Sequence, residues 1–541
     1  MMPESGNPVP ATLPLLVELG CEEIPARFLS DARMQFGERL DQALEEAHLL
    51  RAGEATPLQT YSTPRRLIAF VAQILQTQLD KVEELIGPPA KIAFDANGAP
   101  TRAGESFAAK NGVKSNELLK VSTPKGDYVA VRKTTPGRPA LDLLAEIIPS
   151  VIECLNFPKS MYWLSKSGPR FVRPIRWTFA LLGADDRART VQFEFAGVRA
   201  SDRSYGHRVL GGGPLVIRSF AEYAQKLRAN GVEFDPAQRR RTVDAQVKVV
   251  LDNVRLRIVP DPELEQWIVN STEWPYSIMG RFEERFLALP REILITVMRD
   301  HQKYFAVEDE KGNLQSRFVT VLNVDGDRDG VIRHGHERVL RARFSDAEFF
   351  WNADQKIPLR DRLSLLEKVT YQAKLGSYAD KVRRMQVMAR ALCEVLQEQG
   401  SMTLEGAAAA LRAVELSKCD LTTQMVQEFT ELQGVVGGLY ASAQGEAQEV
   451  SDSIYDQYKP VNLEDERPRS LPGAVLSVVD KLDSIVAGFS VGLQPTGSSD
   501  PFGLRRAGNG VIKVMIEVLP SLDLLELLRG ILDPRSGLIW A

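Results

Sequence analysis

The sequence predicts an α+β protein of several domains, with a mixed α/β N-terminal half followed by an all-helical half. Three observations carry this. At 541 residues the chain is too long for a single hydrophobic core. A composition of 44% hydrophobic and 26% charged residues is that of an ordinary folded protein. Strand-like and helix-like segments alternate up to about residue 330, and helical periods dominate after it.

Taken in order, residues 1–14 hold four prolines and no basic residue ahead of an apolar run, which reads as a loose tail rather than a signal peptide. Residues 15–19 read as a short buried strand, and 28–50 as an amphipathic helix with Leu29, Phe36, Leu40 and Leu44 on one face. Residues 66–74, 128–132, 177–182, 191–195 and 318–324 read as further strands, with Gly- and Pro-rich loops predicted at 87–104 and 134–139. Helical periods then run through 333–351, 359–369, 380–398, 404–416, 421–429 and 501–518. Asp500 and Pro501 are placed to start the last of these as N-cap and first helical residue. Residues 458–473, with three prolines and mixed charge, are the best late linker. The expected boundaries are 1–14, 15–210, 211–330, 331–530 and 531–541.

The formal net charge of −4 hides an asymmetry. Residues 165–248 hold 16 Lys and Arg against 8 Asp and Glu, a balance of +8, whereas 394–469 hold 5 against 14, a balance of −9. The basic middle suits a polyanion, and the acidic part suits a protein contact or a solvated face. Cys21, Cys154, Cys393 and Cys419 lie far apart without a CxxC pair, which argues for a reducing compartment and against a zinc knuckle. No run of ~18 apolar residues is present, so no membrane span is expected.

Several catalytic patterns fail on context. Gly488-Phe-Ser490-Val-Gly492 fits a hydrolase nucleophile elbow, but residues 474–487 before it read as helix and the last histidine is His336. Asp325-Gly-Asp327-Arg-Asp329-Gly330 begins like a calcium loop, yet position twelve is His336 where a bidentate Glu belongs. It is read as a solvated turn, with weak divalent binding as the alternative. His334, His336 and Glu337 lack a third ligand at useful spacing. Gly508 and Gly510 are followed by Lys513 in place of a third glycine, and with no Gly-Lys pair in the chain a P-loop is excluded.

Guanidiniums interleaved with rings are the more informative pattern. Thr63-Pro-Arg65-Arg66, the segment from Arg170 through Arg173 and Arg176 to Trp177, and Arg203-Ser-Tyr205-Gly-His207-Arg208 are what a surface gripping sugar-phosphate and stacking on unpaired bases would use. The competing reading is Arg stems lying over apolar patches and pairing with local acids. The two-to-one excess of basic residues there favours nucleic acid. Residues 333–350 form a helix with Leu340, Phe344, Ala347 and Trp351 on its apolar stripe and Arg338 and Arg341 on the other side. Glu337 would brace Arg341 and Asp346 would brace Arg343, so phosphate contact and ion pairing both stay open. Arg505 and Arg506 pose the same choice.

Ordered blocks give a resemblance. LLVELGCEEIPARFL, STPRRLIAF, RPIRW, MRDHQKYF, GHERVLRARFSDAEFF, EKVTYQAKLGSY, EFTELQGVVGGLYA and PTGSSDPFGLRRA, spread from about residue 15 to 518, resemble the successive signatures of the β-subunit family of the bacterial tetrameric glycyl-tRNA synthetase. The resemblance implies an aminoacyl-tRNA synthetase subunit of the cytoplasm that binds tRNA(Gly) within an α2β2 heterotetramer. ATP and Mg are then used by the α subunit for glycine activation, with no cofactor and no catalytic residue in this chain. Lys303, in the MRDHQKYF block, joins Arg65, Arg66, Arg170, Arg173, Arg176, Arg208, Arg338, Arg341, Arg505 and Arg506 as the RNA-facing candidates.

Two positions depart from the family pattern: Gly335-His336-Glu337 where Gly-Asn-Glu is usual, and Cys21 where a small hydroxylated residue is common. The resemblance also implies an HD-like helical region. Its metal dyad would fall at Leu416-Ser-Lys418-Cys419-Asp420, with Cys for His and no histidine after His336, so metal-dependent hydrolysis is not expected. The family ends in a helical anticodon-binding domain, which this chain, stopping at Ala541, is expected to lack. The alternatives are a non-catalytic RNA-binding scaffold and an HD-type metal phosphohydrolase.

Overall fold

A computed structural model gives the fold and describes residues 11–50, 57–95, 98–123, 126–166, 168–252, 254–496, 500 and 502–532. Of the tail expected at 1–14, residues 1–10 lie outside the described residues, as do those from 533 onward, and residues 12–14 are corrected to the start of a strand, pairing with Arg66–Leu75. The architecture is α+β, with the sheets concentrated in the N-terminal half and helices in the C-terminal half. The chain divides into two compact units, and residues 262–277 and 321–326 return to the first.

The first unit is built on a sheet whose centre is the strand Thr12–Cys21, flanked antiparallel by Arg66–Leu75 and Ile175–Leu182. Gln59–Thr63 pairs outside Arg66–Leu75, and Val198–Ser201 runs parallel to Ile175–Leu182. Side chains alternate across a strand, and here both faces are covered. Leu15, Val17 and Leu19 meet Leu29, Phe36, Leu40 and Leu44 of the helix Ala26–Glu46, with Leu144 and Ile148 of the helix Ala140–Glu153. Leu16, Ile68, Phe179 and Leu181 meet Tyr223 and Leu227 of the helix Phe220–Ala229 on the other. Glu18 lies on that second face and is buried, a charge inside the sheet layer.

A smaller antiparallel sheet places Gly126–Thr135 between Lys81–Pro89 and Leu119–Thr123. It corrects the loop expected at 87–104. Residues 87–89 finish a strand, and the helices Ala90–Ala93 and Arg102–Lys110 follow. The glycines there serve close approach: a Cβ on Gly87 would sit 2.6 Å from the Phe107 ring, and one on Gly104 2.5 Å from the Ala93 carbonyl oxygen. The second expected loop shortens to residues 136–139, and the expected strand at 191–195 keeps only Glu194–Phe195.

In the second unit Phe305–Glu308 pairs antiparallel with Arg257–Ile258 and with Leu314–Asn323. The helices Val331–Asp354, Tyr378–Glu398, Leu404–Leu416, Val435–Ala443, Gln448–Tyr455, Leu471–Ser490 and Leu504–Glu517 then share one core. Leu471–Ser490 is buried on nearly every side, which marks a central helix: Ala474, Val475, Leu476, Val478, Val479 and Leu482 are buried with the charged Asp480, Lys481 and Asp483. The expected linker at 458–473 lies inside this unit. Arg469 binds Asp452 and Asp456, Lys459 binds Asp456 and Glu466, and Lys481 donates to the carbonyls of Tyr458 and Lys459. Among the described residues no helix is long and apolar enough to cross a membrane.

Helix ends also differ from expectation. The last-but-one helix begins at Leu504 and not at 501, with Gly503 left-handed at its N-cap. Asp500 still serves its N-terminus, its carboxylate accepting from the Leu504 and Arg505 amides, both at 2.9 Å. Asp327, expected in a solvated turn, accepts from the amides of Ile332 at 3.0 Å and Arg333 at 2.8 Å and so caps Val331–Asp354.

Candidate nucleic-acid interface

The sequence candidates converge most clearly at one end of the large sheet in the first unit. Backbone bonds fix the frame. Cys21 N–H donates to the Arg65 carbonyl at 2.8 Å, Ile24 N–H to Pro64 at 2.7 Å, and Glu22 N–H to Pro174 at 3.0 Å. Three segments remote in sequence are thereby held side by side. A Cβ on Gly20 would lie 1.9 Å from the Trp177 indole, so only glycine admits the ring at this point.

Arg66 is fully buried at the centre of this frame, where it cannot meet RNA; the expectation of a phosphate contact is corrected for this residue. Its guanidinium donates to Glu273 at 3.2 Å, to Thr63 Oγ1 at 3.1 Å and to the Tyr205 carbonyl at 2.7 Å, and it stands 3.5 Å from Glu18. Burial by itself would lower the Arg66 pKa, but Glu273 and Glu18 outweigh it and the group is raised. Burial pushes the Glu273 carboxyl up, yet Arg66, Thr63 and Arg65 hold it below the usual range. Glu18 also accepts from Trp177 Nε1 at 2.8 Å and Ser204 Oγ at 2.7 Å. One buried triad therefore positions both the indole and the loop that carries Tyr205.

Three further cations lie beside it, of which Arg65 is largely buried and Arg176 and Arg208 are accessible. Arg65 lies over the Trp177 ring at 5.4 Å and 4.0 Å from Glu273, and desolvation lowers its pKa. Arg176 and Arg208 are more than half exposed and share Glu22, at 2.7 and 2.6 Å, with Glu23 a further 3.0 Å partner of Arg208. Their hydrogen bonds draw the Glu22 carboxyl down, Arg176 foremost. Tyr205 is exposed and its ring is 5.0 Å from Trp177. Buried His207 instead shapes the loop: its Nδ1 accepts from the amides of Val209 and Leu210, and burial lowers its pKa.

The other candidates fall elsewhere. Arg170 is exposed over the Tyr162 ring at 5.2 Å, and half-buried Arg173 donates to the Val172 carbonyl. In the second unit, Arg338 projects from Val331–Asp354 without a hydrogen bond or ion pair among the described residues. Arg341 pairs with Glu283, and Arg343 with Glu428 at 3.2 Å. The bracing expected from Glu337 and Asp346 is thus corrected: the acids come from other elements, and Glu337 accepts from the Arg281 amide. Lys303 adopts a left-handed backbone with φ of 59° at the end of a π-helical turn, Val297–Gln302, a strained conformation for a residue with a side chain. Arg505 and Arg506 are exposed in the first turn of Leu504–Glu517.

The excess of basic residues at 165–248 is smaller in space than in sequence. Glu22, Glu23 and Glu265 lie outside that stretch and supply partners for Arg176, Arg208 and Arg240. Arg239 is buried and donates to three carbonyls.

At the HD-like position, Cys419 is buried with its thiol pKa raised by burial, and Asp420 accepts from the Gly434 amide. Nearby, Asp480 and Asp483 are filled by ammonium and guanidinium groups. Lys381 is 3.1 Å from both, Lys418 is 3.1 Å from Asp480, and Arg384 is 2.7 Å from Asp483. Sequence reasoning missed this cluster and the Glu18–Arg66–Glu273 triad. The available signal was a charge within an apolar run: Glu18 in LLVELGC, and Asp480 and Asp483 in AVLSVVDKLDS.

With this geometry in place, the comparisons are direct. The family described as glycyl-tRNA synthetase beta subunit matches residues 15–536. The glycine–tRNA ligase beta subunit of Acidobacterium capsulatum is 46% identical over 511 residues, covering 93% of this chain and 70% of that protein. Those of Syntrophotalea carbinolica and Acaryochloris marina are 40% and 41% identical, covering 93% and 95% of this chain and 71% of each relative. The fold and the ordered blocks thus define a subunit of an aminoacyl-tRNA synthetase. The chain belongs to the glycyl-tRNA synthetase β-subunit family.

Proposed function

We propose that this chain binds tRNA(Gly) and supports its ATP-dependent glycylation by a separate α subunit, in a cytoplasmic α2β2 assembly. ATP and Mg are used on the α subunit, and this chain contributes no catalytic residue. Its membership of the family supports the reading, as do the names of its relatives. The observation that carries the RNA part is the surface where exposed Arg176 and Arg208 stand near exposed Tyr205 and its Trp177 neighbour. Exposed guanidiniums can exchange a surface carboxylate for phosphate at little cost, because such ion pairs contribute only ~0–1 kcal/mol. The same chemistry is proposed for Lys303, Arg338, Arg341, Arg505 and Arg506.

The test is reconstitution. Mixed with the α subunit, the chain should co-elute as a complex and should retain tRNA in a mobility-shift assay that the α subunit alone does not reproduce. Failure to form any complex would overturn the proposal, and RNA binding that leaves glycylation by the α subunit unchanged would leave the scaffold reading in its place.

A further inference from the structure

Beyond the helix Ala140–Glu153 the chain makes a closed loop that the surface described above does not use. Its base is pinned to the core. Asn156 exchanges two backbone bonds with the Gln35 side chain, at 2.9 and 3.1 Å. Phe157 packs edge-on against fully buried Phe171 at 4.9 Å. Met161 and Phe171 close the loop by an antiparallel bridge, N–H to carbonyl at 2.8 and 3.3 Å. Enclosed by this loop is a cleft of about 800 Å3, within the range of small-ligand sites.

The lining is unusual in what it leaves unsatisfied. Lys159 makes no hydrogen bond or ion pair among the described residues, and Arg170 has only the Tyr162 ring beneath it, at 5.2 Å. Glu153 is the one carboxylate among the described lining residues. Tyr162 stays 43% exposed in this lining, a ring beside two cations. Two exposed cations without a protein counter-ion are free to take up an anion, and an exposed phenol capped by a guanidinium plane offers a stacking platform. A shallow stacking platform takes a base only when that base is out of a helix.

We propose that this cleft is a subsite for one unpaired nucleotide of RNA, its base stacked on the Tyr162–Arg170 pair and its phosphate held by Lys159 and Arg170. The proposal rests on the reading of the chain as an RNA-binding subunit and adds a strand-state preference to it. Base–aromatic stacking predicts a loss of about ten-fold in affinity when the ring is removed, with little change when only its hydroxyl is removed.

The experiment uses the full chain with four probes: tRNA(Gly), a short single-stranded oligoribonucleotide, a blunt RNA duplex and AMP, read by fluorescence anisotropy or competition. Tyr162→Ala should weaken the single strand about ten-fold and leave the duplex unchanged, whereas Tyr162→Phe should match the parent. Lys159→Ala combined with Arg170→Ala should weaken the single strand further and flatten its salt dependence. Photocrosslinking should map the oligonucleotide to the 153–170 peptide. Unchanged single-strand binding by Tyr162→Ala, or equal losses on single strand and duplex, would overturn the subsite. Binding of AMP as tight as that of the oligonucleotide would overturn it in favour of a free nucleotide. If the parent binds tRNA and the variants match it, the subsite alone falls; if the parent binds neither tRNA nor oligonucleotide, the RNA reading falls with it.

Discussion

Two buried charged residues set opposite expectations for mutation. Arg66 is the buried partner of both Glu18 and Glu273, so Arg66→Met strands two carboxylates and should cost about 3–5 kcal/mol, measured by urea denaturation. Asp420 is the reverse case. Burial raises its carboxyl to about 6, even though the Gly434 amide and Lys418 pull it down. A carboxyl whose folded-state pKa exceeds its unfolded value binds protons more tightly when folded, so its ionisation destabilises the fold progressively above about pH 4 and fully above pH 6. Asp420→Asn keeps an acceptor for Gly434 and removes the charge. It should stabilise the protein by roughly 3 kcal/mol at pH 8, with the gain shrinking toward pH 4.5. Denaturant midpoints at the two pH values check this, and a gain equal at both would contradict the assignment to ionisation.

Among the elements, the legible features were those fixed by local periodicity. Leu29, Phe36, Leu40 and Leu44 announce the helix Ala26–Glu46 because their spacing needs no knowledge of the partner, and all four are buried. What was illegible depended on a remote partner. Gly87 and Gly104 looked like loop residues, whereas each makes room for a neighbour, Phe107 and Ala93. Asp327 looked like part of a turn, and its two oxygens instead meet helix amides. The candidate surface was half legible for the same reason. Arg176 and Arg208 are exposed as their context suggested, but Arg66, beside the similarly written Arg65, turns inward because Glu273 waits 207 residues away. Asp327→Ala should therefore cost about 1 kcal/mol through fraying of Val331–Asp354, visible in amide exchange of its first turn. Gly20→Ala should be far more damaging, since its new methyl overlaps the Trp177 indole, and restoration by a smaller side chain at 177 would confirm the cause.

For the whole molecule the relevant quantity is the electrostatic field. A net charge of −4 predicts no general attraction to polyanions, so RNA affinity must come from localised cations and should fall steeply with salt. Neutralising Arg176 or Arg208 should each reduce the slope of log affinity against log salt by about one, with stability little altered because both are exposed pairs. A slope unaffected by either substitution would place the RNA elsewhere on the protein.

The Glu18–Arg66–Glu273 triad also bears on how this chain can change over generations. Its members lie 48 and 207 residues apart, on different strands and loops, yet Arg66 cannot lose its charge without leaving two carboxylates unmatched in the interior. Sequence drift at these positions is consequently locked: any escape must pass through a costly intermediate or alter several sites together. Descendants of this fold should keep Arg66 wherever they keep Glu18 and Glu273, a correlation that no reading of neighbouring residues would suggest.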